Sequence, residues 1–293
     1  FILTEMRDKG RDFDDVLAEA QALGYAEADP TFDVEGIDAA HKLTILGSLA
    51  FGVPLQFDRT YTEGISRIEQ QDVVYAGELG YRIKHLGITR KTGKGIEMRV
   101  HPTLIPERRL IANVDGVMNA VLVKGDAVGP TLYYGAGAGS LPTASAVVAD
   151  VIDVARVLTT DPGNRVPHLA FQPSELSDLA ILAMDDVETS YYLRLQAEDK
   201  PGVLAMVTGI LGDAGISIEA VKQKEPAEGE THVPLVMLTH QVLEKQMNAA
   251  IARIEAEVGV TLFERNNRSV ALTRAGKLFL GYARETLGEG DTI

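Results

Sequence analysis

The sequence predicts a two-domain protein of the α+β and α/β classes, in which a mixed sheet with helices is followed by a small ferredoxin-like sandwich. Short β-type runs, separated by Gly, Pro and charged turns, fill residues 60–133. After residue 189 the runs follow the order β-α-β-β-α. Residues 159–188 are rich in Asp, Pro, Ser and Asn and carry little periodicity. We therefore predict a linker and a domain boundary between the two patterns.

The composition limits the class of protein. The 293 residues are 45% apolar and 24% charged, which is enough for two hydrophobic cores. Cysteine is absent and the six histidines show no metal-ligand spacing, so we expect no structural metal. No apolar run of about 18 residues and no signal-type N-terminus is present, so we expect a cytoplasmic protein that is not in the membrane. A net charge of −14 argues against nucleic acid as the main partner of the chain.

The first half of the chain shows helical spacing before its strand-like runs. Apolar residues recur from Thr4 to Leu23, where Gly24 stands at the expected C-cap, and again from Ile37 to Phe51, where Gly52 follows. The second of these helices is apolar on most sides, so we predict that it is buried. Three further runs predict one mixed or antiparallel sheet: residues 80–89, 95–102 and 116–123.

The second half predicts the elements of a compact α+β sandwich. Its strands are predicted at 190–197, 216–223 and 231–239, and its helices at 203–214 and 243–257. A ferredoxin-like sandwich needs one more strand to close its sheet.

An acid-rich stretch precedes the helix that starts at Ile37. It contains Glu27, Asp29, Asp33 and Glu35, and the helix itself carries Asp38 and Lys42 at i and i+4. Such a pair shares one helix face, and its simplest interpretation is a surface ion pair or part of a capping cluster. The apolar character of the helix favours a second interpretation, in which the pair is partly desolvated and belongs to a functional site.

A glycine-rich turn lies between a strand predicted at 131–134 and a helix predicted at 144–158, with Pro142 near the first turn of that helix. Its glycines are Gly135, Gly137 and Gly139. Such turns often serve only close backbone packing. The run is not a dinucleotide fingerprint, because Gly-x-Gly-x-x-Gly counted from Gly135 would need glycine where Ser140 stands.

The acid-rich stretch with its Asp-x-x-x-Lys helix resembles the signature segment of homoserine dehydrogenases. The resemblance continues through residues 101–106 and 135–150, which gives a predicted catalytic domain over 1–158. It implies that Lys42 is the acid/base at the C4 oxygen of the substrate, that Asp38 orients and tunes Lys42, and that Glu27 and Asp33 bind the α-ammonium group. A lysine that exchanges its proton near neutral pH would suit this chemistry.

The same resemblance implies the reaction and the cofactor. The reaction is the reversible interconversion of L-homoserine and L-aspartate 4-semialdehyde with NAD or NADP, a step in threonine, methionine and isoleucine biosynthesis. Gly135, Gly137 and Gly139 would line the nicotinamide side of the site, and the helix after them would pack on a cofactor domain. That domain would precede Phe1, so the N-terminus is predicted to be a cut end. Without the cofactor domain, this chain is predicted to have no hydride-transfer chemistry of its own.

Residues 198–205 and 212–218 are similar to the ACT domain, a small-molecule sensor of amino-acid biosynthesis, which we place at 189–257. The resemblance implies an effector pocket at Asp199, Gly202 and Val203, feedback inhibition by threonine, and a homodimer or homotetramer. A packing or dimerisation module of the same shape is the alternative.

The tail, residues 258–293, resembles the wing and linker-helix start of LysR-type transcription regulators and is locally basic. The first helices of such a DNA-binding unit are not found in the sequence, so a non-functional junction is the simpler interpretation. Two hypotheses follow for the whole chain. It is a truncated homoserine dehydrogenase, or it is a catalytically inactive amino-acid sensor joined to part of a DNA-binding module.

Overall fold

The computed structural model describes residues 1–137, 139–161, 165, 167–224, 232–258, 263–266, 269–272 and 277–280. The α-helices in these ranges are α1 Ile2–Lys9, α2 Phe13–Ala22, α3 Thr31–Val34, α4 Ile37–Phe51, α5 Gln70–Glu78, α6 Ser140–Val157, α7 Val203–Asp213 and α8 Glu244–Val258. None of the helices in the described part combines the length and apolar character that a membrane crossing requires.

Within the described residues, the strands form one large sheet and two small ones. They are β1 Tyr61–Thr62, β2 Tyr81–Thr92, β3 Gly95–Pro106, β4 Met118–Gly125, β5 Gly129–Ala136, β6 Glu188–Glu198, β7 Ile218–Gln223, β8 His232–Thr239, β9 Val242–Leu243, β10 Phe263–Asn266, β11 Ser269–Leu272 and β12 Lys277–Leu280. The large sheet has the order β1-β3-β12-β6-β8-β7, with β2 also paired to β3 and β9 to β6. This mixed α+β architecture agrees with the predicted fold class.

The β2–β3 hairpin is the centre of the first half, and its twelve-residue strands pair antiparallel in register from Tyr81 with Pro106 to Thr92 with Gly95. The prediction that residues 116–123 join the same sheet is wrong. These residues form β4, and its one strand partner in the described part of the chain is β5, in a separate two-stranded sheet. The reason is that β3 already has β1, β2 and β12 as neighbours, whereas β5 follows β4 after a short turn.

Helix α4 begins and ends where the sequence predicts, but two other helical predictions are wrong. The single helix expected over Thr4–Leu23 is broken at Gly10, whose φ of 65° ends α1, and α2 begins after Asp12 in extended backbone. Helix α5 was not predicted at all, because its residues lie within a stretch interpreted as strands. A usable signal was present: Glu69 and Asp72 form a reciprocal capping box at its start.

Helix α4 is not buried on most sides, contrary to the prediction. Its buried face consists of Ala40, Leu43, Thr44, Gly47 and Ser48. On the opposite side Ile45, Leu46 and Leu49 are 47%, 41% and 38% exposed. Helix α6 has no buried residue at all. Exposed apolar side chains that are grouped along a helix, as on α4 and α6, normally lie against another surface.

The C-terminal part of the segment predicted as a linker, residues 177–187, is packed against the rest of the chain. The Ile96 N–H donates to the Ala180 carbonyl at 2.9 Å, and the Leu182 N–H donates to the Ile96 carbonyl at 2.8 Å. Ile181 and Val187 are buried. Residues 177–187 are therefore held by backbone hydrogen bonds and apolar contacts, and they do not form a free tether.

The second half has the predicted β-α-β-β-α order, and its strands lie in the sheet order β12-β6-β8-β7. The position of the closing strand, which the sequence leaves without a candidate, is held by the backbone of β12. This strand runs antiparallel to β6 and parallel to β3. The tail therefore contributes backbone hydrogen bonds to the join between the two halves.

Candidate active site

The start of α4 fixes the proposed acid/base pair. Gly36 is the N-cap residue with φ 78°, and Asp38 lies in the first turn. One helical turn later the Lys42 Nζ donates to Asp38 Oδ2 at 2.6 Å. The two side chains are 70% and 40% exposed, Lys42 being the more open. The expectation of a desolvated pair is therefore not met within this chain, because the pair lies on the exposed face of α4.

That exposed face is continuous. Asp38, Lys42, Ile45 and Leu49 follow the spacing i, i+4, i+7 and i+11, so the ion pair and the apolar residues form one stripe along the helix. An element that covered the apolar residues of the stripe would also remove water from the ion pair.

The structure separates the four acids of the loop into two kinds. Asp29 accepts hydrogen bonds from the Thr31 hydroxyl at 2.6 Å and the Thr31 N–H at 3.1 Å, and these bonds lower the pKa of its carboxyl. Glu35 accepts from the Ser66 hydroxyl at 2.6 Å. The side chains of Glu27 and Asp33 are exposed, and neither hydrogen-bonds or ion-pairs within the described ranges. Glu27 and Asp33, the two acids predicted to bind the substrate, are thus the two whose side chains form no hydrogen bond or ion pair in the described part of the chain.

A cavity of about 430 Å³ lies beside the acid-rich loop. Asp33 lines it together with Lys84, His85, Tyr25 and Asn119. Glu27, Asp38 and Lys42 are not part of its lining. The structure therefore brings Asp33 to the cavity and Asp38 to Lys42, and it places Glu27 on the loop outside both contacts.

His85 and Lys84 are residues near the site that the sequence analysis did not select. His85 Nε2 lies 2.9 Å from the Glu63 carbonyl oxygen, and burial lowers the pKa of its imidazole. Lys84 Nζ donates to Asp115 Oδ1 at 2.8 Å and to the Val114 carbonyl at 2.6 Å. Burial lowers the pKa of Lys84 in spite of Asp115. No spacing in the sequence relates these residues to the acid-rich loop.

We expect Gly36→Ala to reduce the free energy of unfolding by about 3 kcal/mol, because strain and overpacking add at this position. A Cβ on Gly36 would lie 2.8 Å from His85 Cε1 and 3.1 Å from Val100 Cγ1, at a φ of 78°. Urea denaturation measures the change.

Gly10→Ala is the matched control for this variant. Gly10 has a φ of 65° with open space around the position of a Cβ. It should therefore lose only about 1 kcal/mol from backbone strain. Equal losses at the two positions would show that the contact with His85 contributes nothing.

We expect the stabilisation by Asp115 to disappear in acid. Burial alone would raise the pKa of its carboxyl, but hydrogen bonds from Arg7 and Lys84 lower it to about 2. Because the unfolded value is about 3.9, the stabilisation is complete above that pH and is lost as the pH falls towards 2. Asp115→Asn should cost about 1 kcal/mol near neutral pH, since Asp115 is 35% exposed.

Urea denaturation between pH 7 and the acid limb checks this prediction. The difference between Asp115→Asn and the unchanged chain should shrink as the acid limb is entered. Asp178→Asn, an exposed position, serves as the control for removing one negative charge. A difference that stayed constant down to low pH would contradict the assignment.

The glycine-rich turn joins β5 to α6. Gly139 is the N-cap of α6 with φ 122°, and Gly137 leaves no room for a Cβ beside the Asn119 side chain. Gly135 has open space around it. Gly139 is therefore favoured by its own backbone conformation, and Gly137 by the close approach of the Asn119 side chain. Ala138 lies outside the described residues.

The predicted effector positions lie in the turn from β6 to α7. Gly202 is the N-cap of α7 with φ 96°, and Val203 is the first residue of that helix. Asp199 accepts a hydrogen bond from Gln223 Nε2 at 3.4 Å. The turn thus lies at the N-terminus of α7, next to strand β7.

Comparison with known proteins identifies the family. The homoserine dehydrogenase family model matches residues 1–152, more than half of the chain. The chain belongs to the homoserine dehydrogenase family. The ACT domain model matches residues 191–259, and the model of bacterial regulatory helix-turn-helix proteins of the lysR family matches residues 242–277. The predicted boundaries at 158, 188 and 257 remain predictions.

Similar homoserine dehydrogenases are known from several bacteria. The chain is 67% identical to that of Pseudomonas aeruginosa, covering 89% of the chain and 60% of the relative, and 62% identical to that of Neisseria gonorrhoeae, covering 87% and 59%. The crystal structure of a homoserine dehydrogenase from Thiobacillus denitrificans is 64% identical, with a TM-score of 0.85 over 97% of this chain and 62% of that one. The chain thus spans about three fifths of these family members.

Proposed function

We propose that this chain supplies the substrate side of an NAD(P)-dependent homoserine dehydrogenase, with Lys42 and Asp38 as the acid/base pair. The observation that carries the proposal is the open Asp38–Lys42 pair on α4, preceded by two acids, Glu27 and Asp33, whose side chains have no partner among the described residues. In a member of this family, such groups are suited to bind and deprotonate an amino alcohol.

Each residue has a defined task in the oxidation of L-homoserine. As hydride leaves C4, the C4 hydroxyl must lose its proton, and an uncharged Lys42 accepts it. Asp38, 2.6 Å from Nζ, orients Lys42 and stabilises its cationic form. In the reverse direction, Lys42 returns the proton to the aldehyde oxygen. Glu27 and Asp33 bind the α-ammonium group by charge-assisted hydrogen bonds.

This chain offers residues that fit only the nicotinamide end of NAD or NADP. The open space at Gly135 and the N-terminus of α6 at Gly139 suit the approach of a planar, polar group, and Gly137, packed against Asn119, lies between them in the turn. When bound, the cofactor takes up or returns the hydride. The exposed stripe on α4 and the exposed α6 support the proposal that a further domain covers these two surfaces.

Regulation by threonine is the second part of the proposal. The ACT match and the left-handed Gly202 at the start of α7 support an effector pocket at Asp199, Gly202 and Val203. A homodimer or homotetramer, with sheets joined edge to edge, would transmit its occupancy. Threonine binding measured by calorimetry, and its loss in Gly202→Val, tests this part.

Binding of L-homoserine to the chain itself tests the substrate site. We expect binding in ligand-observed NMR, and an affinity about tenfold lower in Glu27→Gln, because a charge-assisted hydrogen bond contributes about 1.5–3 kcal/mol. Glu107→Gln, at an exposed acid away from the loop, is the control. Unchanged affinity in Glu27→Gln would contradict the role given to Glu27.

The inactive-sensor hypothesis has one observation in its favour, the lysR-family match over residues 242–277. Salt-dependent retention of duplex DNA in a gel shift would support it. Turnover of L-homoserine would exclude it. The test uses a completed enzyme, in which this chain is joined to the part of the Pseudomonas aeruginosa enzyme that it does not cover.

A further inference from the structure

Helix α5 is fastened to the ACT-type sheet at its N-terminal end. Arg194 on β6 donates from Nε to Asp72 Oδ1 at 2.7 Å and from one terminal nitrogen to Asp72 Oδ2 at 3.2 Å and to Glu69 Oε2 at 2.9 Å. The Tyr192 hydroxyl, also on β6, donates to Asp72 at 3.0 Å. Arg194, Asp72 and Tyr192 are buried, so their charges and hydrogen-bonding groups depend on one another.

The same helix is fastened to the sheet at its other end and along its length. Glu78 forms ion pairs with Lys222 at 2.6 Å and Lys224 at 2.7 Å, both from β7 or its end. Between the two ends, apolar residues of α5 and of the ACT-type sheet share one core: Val73, Tyr75 and Ala76 with Tyr192, Val236 and Leu238. Helix α5 therefore belongs to the packing of both domains.

The segment leading into α5 holds the acid-rich loop. The Ile65 N–H donates to the Val34 carbonyl at 2.8 Å, and the Ser66 hydroxyl donates to Glu35 at 2.6 Å. At Gly64, a Cβ would lie 2.6 Å from the Val34 carbonyl oxygen, so the two backbones are in close contact. Asp33, which lines the cavity, immediately precedes these contacts.

These contacts form a continuous series from β6 through α5 to the acid-rich loop. The N-cap Glu69 follows Ile68, whose N–H donates to the Ile65 carbonyl at 3.1 Å. A movement of β6 must either carry the first turn of α5 with it or break buried, charge-assisted hydrogen bonds. Strand β6 runs on from Arg194 to the turn at Asp199, about 16 Å away at the usual rise of a strand.

We propose that Arg194 is a positioning residue for the substrate site, acting through Asp72 and the first turn of α5 on the acid-rich loop. The inference rests on the proposed function of that loop. It assigns to the ACT-type domain a structural share in substrate binding that exists before any effector is bound.

Amide hydrogen exchange on the chain itself tests the connection. The main variant is Arg194→Lys, which keeps the buried positive charge but loses the planar fork that reaches Asp72 and Glu69 together. We expect amides of residues 31–36 and 63–72 to exchange about tenfold faster, while those of 233–238 in the ACT-type sheet keep their rates. Lys245→Gln, which removes an exposed ion pair with Asp186, is the control.

Two outcomes of this experiment would overturn the proposal. Unchanged exchange at 31–36 would show that the network ends at α5. An equal increase over the whole chain would show that Arg194 acts only on global stability.

A second variant tests the last contact in the series. Ser66→Ala removes the hydrogen bond to Glu35 at an exposed position. We expect faster exchange at 31–36 with no change at 69–72, and no further increase at 31–36 when Arg194→Lys is added. Strictly additive effects of the two changes would mean that Arg194 and Ser66 act separately, which contradicts the proposal.

The completed enzyme gives the functional readout. Arg194→Lys should raise KM for L-homoserine about fivefold with kcat nearly unchanged, because the loop contributes binding that ground state and transition state share. An unchanged KM would overturn the positioning role. If the completed enzyme with the unchanged chain does not oxidise L-homoserine, the proposed function fails, whereas the exchange results still decide whether Arg194 controls the loop.

Discussion

In the completed enzyme, Lys42→Ala is expected to lower kcat for L-homoserine oxidation by about 10²- to 10⁴-fold, the usual contribution of a positioned acid/base. Lys42 Nζ lies on the exposed face of α4, 2.6 Å from Asp38, and no other lysine of the described ranges shares that face of the helix. KM should change less than kcat, because Glu27 and Asp33 still bind the α-ammonium group. Steady-state kinetics in both directions of the reaction measures the effect.

Lys42→Arg separates proton transfer from simple electrostatics. Arginine keeps the positive charge and can still contact Asp38, but it does not give up a proton in a protein. If Lys42 transfers the proton, Lys42→Arg should be nearly as inactive as Lys42→Ala. Lys245→Ala, at another exposed lysine in an ion pair, should be fully active. Turnover retained in Lys42→Arg would mean that only the charge is needed.

The largest expected effect on stability is that of Asp72→Ala, about 3–5 kcal/mol, because this change leaves a buried charge without its main partner. Of its partners among the described residues, Arg194 would keep Glu69, whose side chain is 37% exposed, and the Tyr192 hydroxyl would lose its acceptor. The capping box of α5 would also be broken. Urea denaturation of the chain measures the loss.

Two comparisons make this result specific. Glu78→Ala removes the acid that pairs with Lys222 and Lys224 at the other end of α5, where the side chains are about a third exposed, and should cost at most about 1 kcal/mol. Replacing Asp72 and Arg194 together by leucine should recover the part of the loss that comes from the unpaired Arg194 charge, since that charge is then absent. A loss below about 1 kcal/mol in Asp72→Ala would show that the network is not a buried ion pair in solution.

The sequence was sufficient wherever one local period determines the structure. Helix α4 begins and ends at the predicted residues, because its apolar spacing is regular and Gly52 adopts the left-handed conformation at its end. The Asp38–Lys42 contact follows directly from the i, i+4 geometry of that helix. The order of elements in the second half was predicted for the same reason.

Prediction failed where competing local signals or distant partners decide. The break at Gly10 lies in the polar stretch 7–12, which interrupts the apolar spacing between Met6 and Phe13. Strand β4 has the alternation of a sheet strand but not the position expected for it. The segment 177–187 has the composition of a linker, yet its backbone pairs with Ile96 and Gly52. Composition indicates whether a segment can remain solvated. Its partners in the folded chain depend on which backbone N–H and C=O groups the other elements leave unpaired.

The sequence by itself determined the family, the elements around α4 and the residues proposed to act on the substrate. Only the tertiary structure decided which acids of the loop are engaged, since Ser66 reaches Glu35 from 31 residues away, and which strand holds α5, since Arg194 meets Asp72 across 122 residues. Contacts of this kind follow from the packing of whole elements and leave no spacing in the chain. The exposure of Lys42 is also decided by tertiary structure, because it depends on which elements cover the outer face of α4.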